Sequence, residues 1–80
     1  IYPNPFNPAT HIIYSLPEHT DVRIIVYNIL GEQIEYLVNN FQSPGYHAIL
    51  WDASRYPSGI YFIIMKAGTF RETQKVLLIK

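Results

Sequence analysis

The chain contains no cysteine, one methionine, four glycines, and only six acidic and six basic residues in 80. Without thiols it is neither a disulfide-stapled miniprotein nor a cysteine-ligated zinc module, and it is indifferent to the redox state of its compartment. Equal numbers of charges of each sign give a formal net charge of zero, so no net field draws the chain to nucleic acid or to an anionic membrane. No apolar run approaches the ~18 residues that a membrane-spanning helix needs. The scarcity of charge does not come with disorder, because 49% of the residues are apolar and 15% aromatic, too much for a solvated linker. A chain this short builds one core and one domain, residues 1–80. It opens on Ile1-Tyr2-Pro3, with no initiator Met and no basic-then-apolar leader pattern, which reads as a piece cut from a longer protein.

Helix-forming material is also thin: four Ala and six Leu stand against twelve Ile, four Val, four Thr and twelve aromatics. The latter types suit a pleated surface. Apolar residues alternate with a period near two and turn signals recur every 8–12 residues, the rhythm of a small all-β sandwich or barrel. Three prolines keep Tyr2-Pro3-Asn4-Pro5-Phe6-Asn7-Pro8 out of any central strand and make it a stiff extended segment along a sheet edge, anchored by Tyr2 and Phe6. Core faces are expected at Ile12, Tyr14 and Leu16, at Val22, Ile24 and Val26, at His47, Ile49 and Trp51, and at Tyr61, Ile63 and Met65. Gln33 to Val38 alternates untidily and reads as a short bulged strand, followed by a loop from Asn39 to Gly45. Turns are expected at Asn28 to Gly31 and at Ala67-Gly68, a crossover between sheets at Asp52 to Gly59, and a last strand from Phe70 to Ile79. About seven short strands with one long crossover favour an all-β, seven-stranded immunoglobulin-like β-sandwich over a five-stranded oligonucleotide-binding barrel.

Few residues invite chemistry. His11, His19 and His47 have no ligand-like spacing, which argues against a metal site. Ser54, His47 and Asp52 lack the strained nucleophile elbow of a hydrolase; Asp52 and Ser54 are better read as ordering their own loop. No catalytic, cofactor or metal residue is assigned. Trp51, Tyr61 and Phe70 are expected in the core, and Tyr2, Tyr46 and Tyr56 at the surface, where a carbohydrate-stacking role is the alternative. The surface tyrosines lack the interleaved cations of a nucleic-acid platform. Charge is unevenly spread, since residues 66–80 carry Lys66, Arg71, Lys75 and Lys80 against Glu72, while the rest of the chain is acidic. These cations either guard an edge strand or offer a basic strand to an acidic receptor. Strand parity also turns Ile25, Tyr27, Tyr46, Ala48, Leu50, Phe62 and Ile64 away from the core. Such a surface suits a partner or neighbouring domain, and Ile25, Leu50 and Ile64 could support a weak homodimer.

The ordered motifs resemble a known family. Tyr2-Pro3-Asn4-Pro5-Phe6-Asn7-Pro8 is followed by Ser15-Leu16-Pro17-Glu18, Val26-Tyr27-Asn28-Ile29-Leu30-Gly31-Glu32, and Gly45 and His47 running into Trp51-Asp52-Ala53-Ser54. Ser58-Gly59-Ile60-Tyr61-Phe62 and Lys75-Val76-Leu77-Leu78-Ile79-Lys80 complete the set. It resembles the type A C-terminal sorting domain of type IX secretion cargo and the related immunoglobulin-like module of the flagellar hook-capping protein. The resemblance implies a seven-stranded sandwich excised from a larger exported protein, an N-terminal cargo domain in the same chain, and no catalysis. It also implies recognition by the type IX outer-membrane translocon, a sortase-like peptidase as a further partner, and delivery through the periplasm to the cell surface or medium. Recognition falls by position on Asn4 and Pro5, on Gly59 and Tyr61, and on Lys75, Val76, Leu77, Leu78, Ile79 and Lys80. Ala9 stands where that family usually has Thr. A signal read after folding implies a rigid surface, with strand addition to the terminal strand as its mode. A structural linker and an ancillary carbohydrate-binding module are the competing readings.

Overall fold

A computed structural model describes residues 8–80. The chain runs through six strands: β1 (Ala9–Leu16), β2 (Thr20–Tyr27), β3 (Gln33–Gln42), β4 (Gly45–Asp52), β5 (Gly59–Ala67) and β6 (Phe70–Leu78). There is no helix among the described residues. Four strands form one antiparallel sheet in the order β3-β2-β5-β6, and β1 pairs with β4 in a second. The expected edge segment Tyr2 to Pro8, counted as the seventh strand, lies outside the described residues apart from Pro8.

Both sheets turn their apolar sides onto one core. β1 alternates exposed and buried residues without a break, with Ile12, Tyr14 and Leu16 inward. Facing them, Val22, Ile24 and Val26 of β2 are completely buried, as are Val76 and Leu78 of β6. Trp51 sits at the centre, fully enclosed, with its ring 5.7 Å from Tyr61 edge-on and 6.1 Å from Tyr56. Two links are hairpins within the larger sheet, β2 to β3 and β5 to β6; the other three cross between the layers. The Asp52 to Gly59 stretch is one of those three, as its polar composition indicates.

Turn chemistry fixes the hairpin ends. Asn28 accepts hydrogen bonds at Oδ1 from the N–H groups of Leu30 (3.0 Å) and Glu32 (2.9 Å), and its Nδ2 donates to Glu32 Oε1 at 2.7 Å. Gly31 closes this turn at φ 82°, a conformation that costs a side chain strain. Replacement of Asn28 by Ala is expected to lower stability by about 1 kcal/mol, measurable as a shift in the urea midpoint.

Four expectations need correction. β3 does not stop at Val38 but continues to Gln42, because Asn39 to Gln42 pair with Thr20 to Arg23; the partner strand overrides the poor β-propensity of Asn. The bulge expected in β3 is present, as two register shifts against β2 that leave Leu37 and Ile34 as the additional residues. Ile25 is on the outward face but only 2% exposed, flanked in register by Tyr36 and Ile64. Ile64 itself is half-buried, so of the three residues named for a homodimer Leu50 alone is openly exposed. Phe70 points to the inner side yet remains 54% exposed, since a two-stranded layer cannot cover four strands. It borders a cleft of about 370 Å³ with Ile12, Met65, Glu72 and Gln74. Tyr56, expected at the surface, packs against the core.

Candidate recognition surface

The last strand is shaped by the alternation that every strand obeys. Val76 and Leu78 point inward and are completely buried, whereas Lys75, Leu77, Ile79 and Lys80 are exposed, Leu77 by 39% and Ile79 by 47%. The six terminal residues therefore divide into two inward anchors and four outward side chains. Only the outward four can be touched by another molecule.

Register brings Gly59 and Tyr61 to this strand: Gly59 pairs with Leu78 and Tyr61 with Val76. Tyr61 is 5% exposed, and its hydroxyl donates to the Pro57 carbonyl at 2.7 Å. Burial raises its pKa above the ordinary tyrosine value, so it remains a donor at neutral pH. Its geometry is that of a support beneath the surface. The end of the chain is tied to the β4–β5 crossover, where the Lys80 N–H donates to Ser58 Oγ at 3.1 Å and the Lys80 ammonium to the Ser54 carbonyl. Asp52 orders the same crossover by accepting from the Ser54 N–H at 3.0 Å, which holds its carboxyl below the ordinary range. The stability this bond contributes is complete at neutral pH and is lost as the pH falls through the lowered pKa. Asn4 and Pro5 lie outside the described residues.

A polar cluster that sequence reading missed holds the crossover against β3. Glu35 lies on the inner side of β3, opposite Val26. Its Oε1 accepts from the Tyr56 hydroxyl at 2.8 Å and the Trp51 indole at 3.3 Å, and Arg55 Nη2 approaches it at 3.6 Å. Burial, reinforced by this bond to Glu35, raises the Tyr56 pKa. The register shifts in β3, invisible as exact positions in sequence, are what turn this glutamate inward. Glu35→Ala removes a shared acceptor from two aromatic donors and is expected to cost about 1–3 kcal/mol, read from urea unfolding.

Among the described residues no three His, Asp or Glu side chains gather to hold a metal ion, and no helix is long and apolar enough to cross a membrane. His11 and His19 are exposed, and His47 is half-buried with Nε2 2.7 Å from the Ser43 carbonyl oxygen.

No curated protein and no solved structure matches the chain. A family model, that of the secretion system C-terminal sorting domain, matches residues 1–80. Such a domain is a sorting signal, not a catalytic unit; it directs a larger cargo chain through the type IX secretion system to the cell surface or medium. With the match spanning all 80 residues, the chain belongs to the secretion system C-terminal sorting domain family.

Proposed function

We propose that the domain is a folded address label, read by the outer-membrane type IX translocon through the outward side chains at the end of β6. The family match over residues 1–80 carries this reading. The exposure of Lys75, Leu77, Ile79 and Lys80 supports it, since Lys75 and Leu77 stand on a strand anchored by Val76 and Leu78 and Ile79 and Lys80 follow directly after it. Asn4, Pro5, Gly59 and Tyr61 belong to the proposed recognition set, with Gly59 and Tyr61 acting beneath the surface. A sortase-like peptidase is the proposed second reader, after export. The two antiparallel layers with one shared core support an immunoglobulin-like sandwich, and with it the kinship to the flagellar hook-capping module.

The test is delivery of the full-length cargo. Removal of residues 1–80 should retain it in the periplasm. Lys75→Glu combined with Lys80→Glu should lower surface delivery severalfold while the domain's melting temperature stays within a few degrees of wild type. Unaltered delivery of that double variant would reduce the two lysines to guards of the strand edge.

A further inference from the structure

Away from the tail, the outward face of the larger sheet carries a charge pattern that folding does not favour. Arg23 of β2 is paired in register with Lys66 of β5, and Lys66 with Arg71 of β6. All three alternate with buried residues on their strands or pair with one that does, so they share the outward side. Adjacent strands lie about 4.8 Å apart, which sets three like charges in one short row. Like charges directly opposite one another destabilise a sheet. One carboxylate, Asp21, stands 3.7 Å from Arg23 and is 44% exposed.

Edge protection does not account for the row. β2 and β5 are interior strands of the sheet, and cations that deter sheet-to-sheet aggregation belong on edges. By parity this face holds Arg23, Lys66, Arg71 and Lys75, four of the six cations in the chain, and Asp21 alone among the six carboxylates. Asp21, Arg23 and Lys66, with Gly68, line a shallow depression of about 230 Å³. Beside the row the face turns apolar, with Ile64 next to Ile25 and Phe62 next to Tyr27.

We infer that the outward face of β2, β5 and β6 docks onto a protein surface that presents carboxylates around an apolar centre. The inference rests on the sorting reading and names the chemistry of its receptor. Charge complementarity identifies the partner as acidic: opposed carboxylates relieve a repulsion that the isolated domain carries, and steer the encounter. Tyr27, Phe62 and Ile64, half-buried beside the row, supply the contact that charge alone does not, with Ile25 packed beneath them.

The decisive variants are made in the full-length exported chain. Lys66→Glu turns the row into alternating Arg, Glu and Arg, so the melting temperature should hold or rise. Surface delivery should nevertheless fall about tenfold, and further with Arg71→Glu added. Lys66→Gln should fall between, Lys66→Arg should be delivered as wild type, and His11→Glu, on the exposed side of β1 in the other sheet, should leave delivery unchanged. Normal delivery of Lys66→Glu overturns the inference, as does equal loss in Lys66→Arg, which would indicate shape and not charge. If the chain lacking residues 1–80 is itself delivered normally, the sorting reading fails first, and the two failures are told apart.

Discussion

Removal of residues 75–80 is expected to abolish export and unfold the domain at the same time. The cut takes away Val76 and Leu78, both completely buried in the shared core. Loss of a buried Leu alone costs about 2–5 kcal/mol, and small domains command roughly 5–15 kcal/mol in total. The truncated cargo should therefore stay in the periplasm and show heightened protease sensitivity within this domain. A truncation that remains folded and is still delivered would contradict both the packing and the sorting account. Because the cut removes anchors and outward residues together, it measures the domain as a whole. Surface variants are needed to isolate the message.

The second large effect is expected from Trp51→Ala. Trp51 is fully enclosed, meets Tyr56 and Tyr61 at ring distances of 6.1 and 5.7 Å, and donates to Glu35 across the layers. Truncation to Ala should cost about 3–5 kcal/mol, which in a domain of this size lowers the melting temperature by more than about 10 °C. Trp51→Phe keeps most of the volume and loses the indole N–H, so its cost should be nearer 1–2 kcal/mol. Thermal melting of the two variants separates packing from hydrogen bonding. Equal losses would show that the bond to Glu35, not the bulk of the ring, holds the layers.

Much of the fold was legible because strand alternation is a local signal. Ile12-Tyr14-Leu16 and Val22-Ile24-Val26 announce their buried faces in spacing alone, and the structure buries each of them. Asn28 and Gly31 likewise declare their turn through side-chain chemistry and backbone freedom. What escaped depends on partners far along the chain. Asn39 to Gln42 form a strand only because β2 is there to pair with them. Phe70 obeys the inward parity yet meets no covering strand, which no local pattern can foretell. Glu35 looks like a solvated charge until the register shifts in β3 turn it toward Trp51 and Tyr56.

The candidate surface was legible to a similar depth. Reading the terminal residues as one signal overlooked that Val76 and Leu78 face the core while Lys75, Leu77 and Ile79 face outward. The charge asymmetry at the end of the chain was visible, but its alignment with Arg23, more than forty residues away, required the strand register. A sequence shows that cations are present; the sheet decides which of them stand together.

We propose that the folded domain is read through the outward side chains at the end of β6 and just beyond it. Cell-surface labelling of full-length cargo carrying Leu77→Asp with Ile79→Asp tests it most directly, with thermal melting run on the same variant. A melting temperature near wild type together with retention in the periplasm is the predicted result. Wild-type surface labelling of that folded variant would contradict the account.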